Sequence, residues 1–189
     1  MSVTTVTRYH PNGEIYGIGT LPTGLLASQN GLFIVGEFPS DTYYIDPVTQ
    51  AAVEKGAAPS RFHEFDYTSK NWTLDIVHAQ ALRWWEIKQS RDNAEFSEFT
   101  WGGYTFDADR VSQARLQGAV QLANMNPAFQ VDWTLADNST VILDQASAIG
   151  AGLALGQHVM GVHAYARTLR TQIEAATTAA ELDAIEWNL

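Results

Sequence analysis

The chain has 189 residues, 46% hydrophobic and 11% aromatic, enough to fill one sizeable core or two small ones. Its 11 Lys and Arg stand against 21 Asp and Glu, a net charge of -10 with no basic stripe, which argues against nucleic acid as a partner. No cysteine is present, so disulfides, thiolate nucleophiles and Cys-ligated metals are excluded.

The start, Met1-Ser2-Val3-Thr4-Thr5, lacks the basic end and apolar centre of a signal peptide. No apolar run approaches the roughly 20 residues that span a bilayer. The expectation is a chain made and kept in the cytoplasm, or released from it only by lysis.

From Val3 to Asp75 the signals are short strands and turns. Breakers fall at Pro11-Asn12-Gly13, Pro22-Thr23-Gly24, Asn30-Gly31, Pro39-Ser40-Asp41, Asp46-Pro47 and Ala58-Pro59-Ser60. Between them lie runs such as Leu32-Phe33-Ile34-Val35, Thr42-Tyr43-Tyr44-Ile45 and Phe62-His63-Glu64-Phe65-Asp66-Tyr67. This spacing predicts an antiparallel β meander, a β-rich module over residues 1–72, with a boundary near Lys70 to Asp75.

Leu74, Val77, Ala81, Trp84, Ile87 or Lys88, and Arg91 then recur at helical spacing, which predicts a helix from about Asp75 to about Glu95. Consecutive residues on a helix point about 100° apart, so Trp84 and Trp85 face different ways; the expectation is a helix wedged between the two domains that buries both, the alternative being that one is left for a partner. Next, Gly102-Gly103 supplies the two positive φ angles of a two-residue hairpin turn. That turn sets Trp101 opposite Tyr104 and Phe99 opposite Phe106, four aromatics on one face built for burial.

Asp107-Ala108-Asp109 offers an N-cap for a helix over Arg110 to Asn124, with the stripe Val111, Ala114, Gly118, Leu122 and a stop at Asn126-Pro127. A second hairpin follows in the alternation Val131-Asp132-Trp133-Thr134-Leu135 and the return Thr140-Val141-Ile142-Leu143. A turn at Asp137-Asn138 or at Asn138-Ser139 puts Ile142 on the Trp133/Leu135 face.

Asp144 opens a long helix, from about Gln145 to Ala176 and about 45 Å in length, whose apolar set is Ile149, Leu153, Val159, Met160, Val162, Ala166, Leu169 and Ile173. Ala148, Gly152 and Gly156 recur every four residues along it, which suits close packing either within the chain or against another copy. Thr178-Ala179-Ala180-Glu181 has the form of a capping box before a short helix bearing Leu182, Ile185 and Trp187. The fold class is therefore α+β: the β meander, then an α-ββ-α-ββ-α-α domain over residues 73–189 with a long C-terminal helix.

No motif carries chemistry past its plainer alternative. The glycines of residues 17–24 lack the strand-loop-helix setting of a phosphate site and read as a turn-rich loop. His158 and His163 are five apart, about 140° around a helix, and do not clamp one metal. His10, His63 and His78 are scattered, with no nucleophile or carboxylate in a recognisable setting. Asp107, Asp109, Asp132, Asp137 and Asp144 serve more simply as caps and turn formers than as acids, bases or calcium ligands. Trp101, Tyr104 and Trp133 fit a core better than a sugar platform. The residues thus nominate no catalytic, cofactor-binding or metal site and no cofactor.

The stretch from about Ile76 to Leu189 resembles a domain of unknown function recurrent in tailed-bacteriophage tail proteins, many labelled tail fibre or tail fibre assembly proteins. The likeness rests on Arg91-Asp92, on Trp101-Gly102-Gly103-Tyr104-Thr105-Phe106-Asp107-Ala108-Asp109 with Ser112-Gln113, and on Val131 through Asn138. It continues in Leu143-Asp144, His158, Ala166-Arg167-Thr168-Leu169-Arg170, Ile173-Glu174-Ala175-Ala176 and Ile185-Glu186-Trp187. Tyr43-Tyr44-Ile45 and Trp72-Thr73-Leu74-Asp75 resemble a short β module that precedes this domain in phage proteins.

These motifs are anchors, turns and caps, so the resemblance implies fold and context and transfers no catalytic residue. It implies a non-enzymatic structural component of a tail or tail-fibre apparatus, made in the host cytoplasm and located in the virion. Its partners would be other tail or fibre proteins and copies of itself, a trimer being slightly favoured by analogy with fibres. The alternatives are a fibre-assembly chaperone absent from finished particles and, behind it, a receptor- or glycan-degrading enzyme.

Overall fold

The structure is a computed structural model and describes residues 2–189. It separates into two compact units, Met1–Asp75 and Ile76–Leu189.

The first unit is antiparallel throughout. Strands β1 (Val3–Tyr9), β2 (Ile15–Pro22) and β3 (Phe33–Val35) form a sheet in the order β2-β1-β3, and two hairpins follow, β4 (Tyr43–Ile45) with β5 (Ala52–Glu54) and β6 (His63–Asp66) with β7 (Asn71–Leu74). Residues 17–22, expected as a loop, lie in β2. Paired with β1, a strand tolerates Gly17 and Gly19 because its partner supplies the ladder. Thr7 is fully buried, and its hydroxyl is satisfied twice, donating to the Gly36 carbonyl at 2.9 Å and accepting from the Phe38 amide at 3.0 Å.

The two hairpins are one device used twice, 20 residues apart. Asp46 accepts from the amides of Val48 and Thr49, and Asp66 from that of Thr68; the fifth turn residue, Gln50 or Lys70, adopts φ 55° or 60°. Tyr43 pairs Glu54 as His63 pairs Leu74. Phe65 sits against the rings of Tyr44, Tyr67 and Trp72 at 5.2 to 5.5 Å, and the Lys55 ammonium lies 5.0 Å above Phe65.

The second unit runs α1 (Ile76–Glu95), β8 (Phe99–Trp101), β9 (Tyr104–Phe106), α2 (Arg110–Met125), β10 (Gln130–Thr134), β11 (Thr140–Asp144), α3 (Gln145–Ala175) and α4 (Ala179–Asp183). Phe99, Phe106, Leu116, Leu135, Leu143 and Leu155 meet in one core, with Ala119, Ala123, Ala148 and Ala151 where α2 and α3 cross. The expected α+β class, element order and long C-terminal helix are those observed.

The helices bury different faces from those their apolar stripes predict. On α1, Val77 and Ala81 of the predicted stripe are exposed and Ala79 outside it is buried, although Ile87 is buried as expected. Polar side chains share that inward face. Gln80 donates to the Ala176 carbonyl at 2.9 Å, and Arg83 bonds both the Ile185 carbonyl and, at 2.6 Å, Glu86. An inward face made partly of amide and guanidinium groups hides from a hydrophobicity pattern.

On α2 the predicted stripe Val111, Ala114, Leu122 is exposed, and Leu116, Ala119 and Ala123 are buried. The N-terminal half of α3 does the same, burying Ala148, Ala151 and Leu155 while Leu153 is 64% exposed. A Cβ on Gly152 would come within 2.5 Å of the Val120 side chain, so the crossing requires small residues and displaces the larger ones outward. The C-terminal half of α3 buries Val162, Ala166, Leu169 and Ile173 as expected.

The second hairpin also departs from expectation. Ile142 faces Asp132, not Trp133, and is 62% exposed; Val141 and Leu143 take the inner face opposite Trp133 and Val131. The connection is the three-residue loop Ala136-Asp137-Asn138, closed by the Leu135 amide on the Ser139 carbonyl, with Asn138 at φ 64°. Each two-residue turn considered above slips the register by an odd number and reverses every side chain of the returning strand.

Candidate functional site

An open groove of about 840 Å³ runs between α2 and β10. Gly118, Leu122 and Met125 form its α2 side, and Phe129, Val131, Trp133 and Leu135 its floor. Leu122 and Met125 are 58% and 81% exposed, an apolar rim over a largely apolar floor. The groove exists because α2 turns its alanines to α3 and its larger residues away. Asp107, Arg115, Asp132 and Asn138 supply its polar edge.

The aspartates singled out above divide into two kinds. Asp109 caps α2, accepting from the Val111 amide at 2.8 Å and the Ser112 amide at 3.3 Å, and Asp144 caps α3 in a reciprocal box with Ser147. Asp137 fixes the β10-β11 loop by accepting from the Ser139 hydroxyl at 2.6 Å and its amide at 2.9 Å. The serine hydroxyls, then the backbone amides, hold all three carboxyls below the usual carboxylate range. Groups committed to their own backbone in this way are poor acids or bases. Asp107 and Asp132 remain on the groove's edge, which Arg115 also lines.

The histidines act as struts. His158 Nε2–H donates to the Ala94 carbonyl at 2.9 Å, and His163 Nε2 lies 2.9 Å from the Glu95 carboxylate, so both fasten α3 to the C-terminal end of α1. His63 Nδ1 lies 2.8 Å from Ser60 Oγ, a nucleophile neighbour that sequence spacing did not single out. Ser60 Oγ also accepts from the Phe62 amide at 3.1 Å, and the pair closes the tight turn into β6. His10 packs on Tyr16 with ring centroids 4.6 Å apart. Among the described residues no cluster of three His, Asp or Glu is placed to hold a metal ion.

Of the aromatics, Trp101 and Trp133 are half-buried against the core, whereas Tyr104 is 43% exposed at the hairpin tip and does not share the burial expected of it. Trp101 lies on α3 at Gly150, where a Cβ would meet its ring at 2.3 Å. Trp85 is the outward member of the tandem pair, 55% exposed, while Trp84 lies under the Arg170 guanidinium at 5.4 Å. Sequence reasoning missed the groove itself, because its wall is the α2 stripe assigned to the core. The signal was present in Ala119 and Ala123, which share a helix face with Leu116.

The profile of a family described as "Domain of unknown function (DUF4376)" matches residues 78–186, more than half of the chain and within the stretch that carries the resemblance drawn above. No curated protein and no solved structure matches the chain.

Proposed function

The chain belongs to the DUF4376 family, and on that footing we propose that it is a non-enzymatic structural component of a bacteriophage tail or tail-fibre apparatus, attaching virion proteins to one another. The observation that carries the reading is the groove between α2 and β10, with Leu122 and Met125 exposed above Phe129, Val131 and Trp133. A large apolar surface with little converging polar chemistry favours protein attachment over turnover. The spent carboxylates point the same way: three of the five singled out hold caps and a turn. The phage context comes from the resemblance of the hairpin and cap motifs. In this reading the unit Met1–Asp75 docks to a fibre or a neighbouring tail protein, and the groove of the second unit is the other point of attachment.

The test is mass spectrometry of purified particles together with incorporation of a chain lacking Val3 to Tyr67. A structural subunit is present in wild-type particles and is lost on that deletion. Absence of the full-length chain from finished particles transfers the role to an assembly chaperone, and hydrolysis of a receptor glycan abolished by Asp107→Asn or Asp132→Asn transfers it to an enzyme.

A further inference from the structure

The glycines of α3 differ in what surrounds them. Gly150 admits the Trp101 ring and Gly152 the Val120 side chain, so each has a reason within the chain, whereas a Cβ at Gly156 would meet nothing within 4 Å. Glycine weakens a helix, and here no contact inside the chain requires it.

Gly156 lies in a stripe on the side of α3 turned away from its buried face. Ile149, Leu153, Gly156, Met160 and Arg167 follow one another at steps of four, three, four and seven residues, the a/d spacing of a helix-pairing seam. Leu153 and Met160 are 64% and 71% exposed. Beside them a groove of about 590 Å³ opens toward Gln117 and Gln121 of α2.

We infer that this outward face of α3 is a self-association seam on which a second copy of the chain packs antiparallel about Gly156. Two features of the chain select a second copy as the occupant. The first is charge. No Asp, Glu, Lys or Arg occurs between Asp144 and Arg167, so two chains of net charge -10 meeting along this stretch set no acidic side chain of α3 directly against another.

The second is self-complementarity. With a two-fold axis at Gly156, Leu153 of one copy falls beside Met160 of the other, and each copy's glycine leaves room for its partner's helix. Arg167 lies eleven residues after Gly156, so the same axis sets the arginine of each copy beside the uncharged Gln145 of the other and holds the two arginines at opposite ends of the seam. A parallel pairing sets Arg167 against Arg167. The antiparallel seam closes at two copies, in contrast to the three that fibre analogy favours.

Light scattering on the full chain at high concentration should give twice the 20.8 kDa chain mass, and Leu153→Glu with Met160→Glu should return it to 20.8 kDa with unchanged circular dichroism. Because the chain has no cysteine, oxidation of Gly156→Cys should link two copies to each other, while Gly161→Cys, also open but off the stripe, should not. A monomer or a trimer of the wild-type chain overturns the inference. So does a dimer that survives the double glutamate variant, or one in which Gly161→Cys links as well as Gly156→Cys. The cysteine comparison decides the matter if the glutamate variant fails to fold.

Discussion

The hairpins β8-β9 and β10-β11 are built alike, a few residues of strand on either side of a tight turn with an aromatic facing the core, yet only the first has a register legible from its residues. Gly102 and Gly103 take φ 62° and 83°, the pair of left-handed conformations that a two-residue turn requires, so Phe99 pairs Phe106 and both are buried. In the second hairpin one left-handed residue, Asn138, ends a three-residue loop, and the odd length sends Ile142 outward. A turn identifies its own register when its chemistry permits one length. Asp-Asn-Ser permits several, and the burial of Leu143 chose among them.

The largest expected effect sharpens the core side of that contrast. Phe106→Ala removes a fully buried ring that stacks on Phe99 at 5.3 Å and should cost about 3–5 kcal/mol, measured by urea unfolding. Ile142→Ala, which the slipped register would make just as costly, should stay within about 0.5 kcal/mol.

Replacing both Gly102 and Gly103 with Val should cost about 2–4 kcal/mol, since each valine is forced to positive φ. An unchanged melting temperature would break the assignment of that turn. Asn138→Val places a single β-branched residue at φ 64° and should cost about 1–2 kcal/mol, whereas Asn138→Gly should be neutral or stabilising. Equal effects of valine and glycine at 138 would mean that the loop is not the one described.

Between the turns and the helix they lean on, Gly150→Ala should cost about 1–3 kcal/mol by driving Trp101 off α3, visible as a red shift of tryptophan emission.

The smallest effect is acid lability. The folded-state values of Asp109, Asp137 and Asp144 are depressed by their serine and amide hydrogen bonds, so the stability they contribute is fully present above the ordinary carboxylate value of about 4. It is lost as pH falls below that and through the depressed values. Asp144→Asn should flatten part of this fall. A melting temperature that rises between pH 5 and pH 3 would contradict these caps.

Local chemistry determined what depends on a few adjacent residues. The Asp109 and Asp144 N-caps, the Thr178 to Glu181 box, the Gly-Gly turn and the stop at Asn126-Pro127 were all legible, because each satisfies backbone groups or dihedral angles within about four residues. The antiparallel strands of the first unit were legible too, although the recurrence of one hairpin at Asp46 and Asp66 went unseen, since within the hairpins only the turn aspartate is identical and the repeat of Gly36, Pro39 and Ser40 as Gly56, Pro59 and Ser60 lies ahead of them.

Which face of each helix is buried was a tertiary decision. The α2-α3 crossing is close enough that Gly152 has room for no Cβ beside Val120, so alanines went inward and Leu122, Met125 and Leu153 outward. Hydrophobicity ranks residues by what water rejects, and a tight crossing ranks them by size. Where the two disagree packing prevails, and the apolar residues it turns outward form the groove and the seam offered to partners.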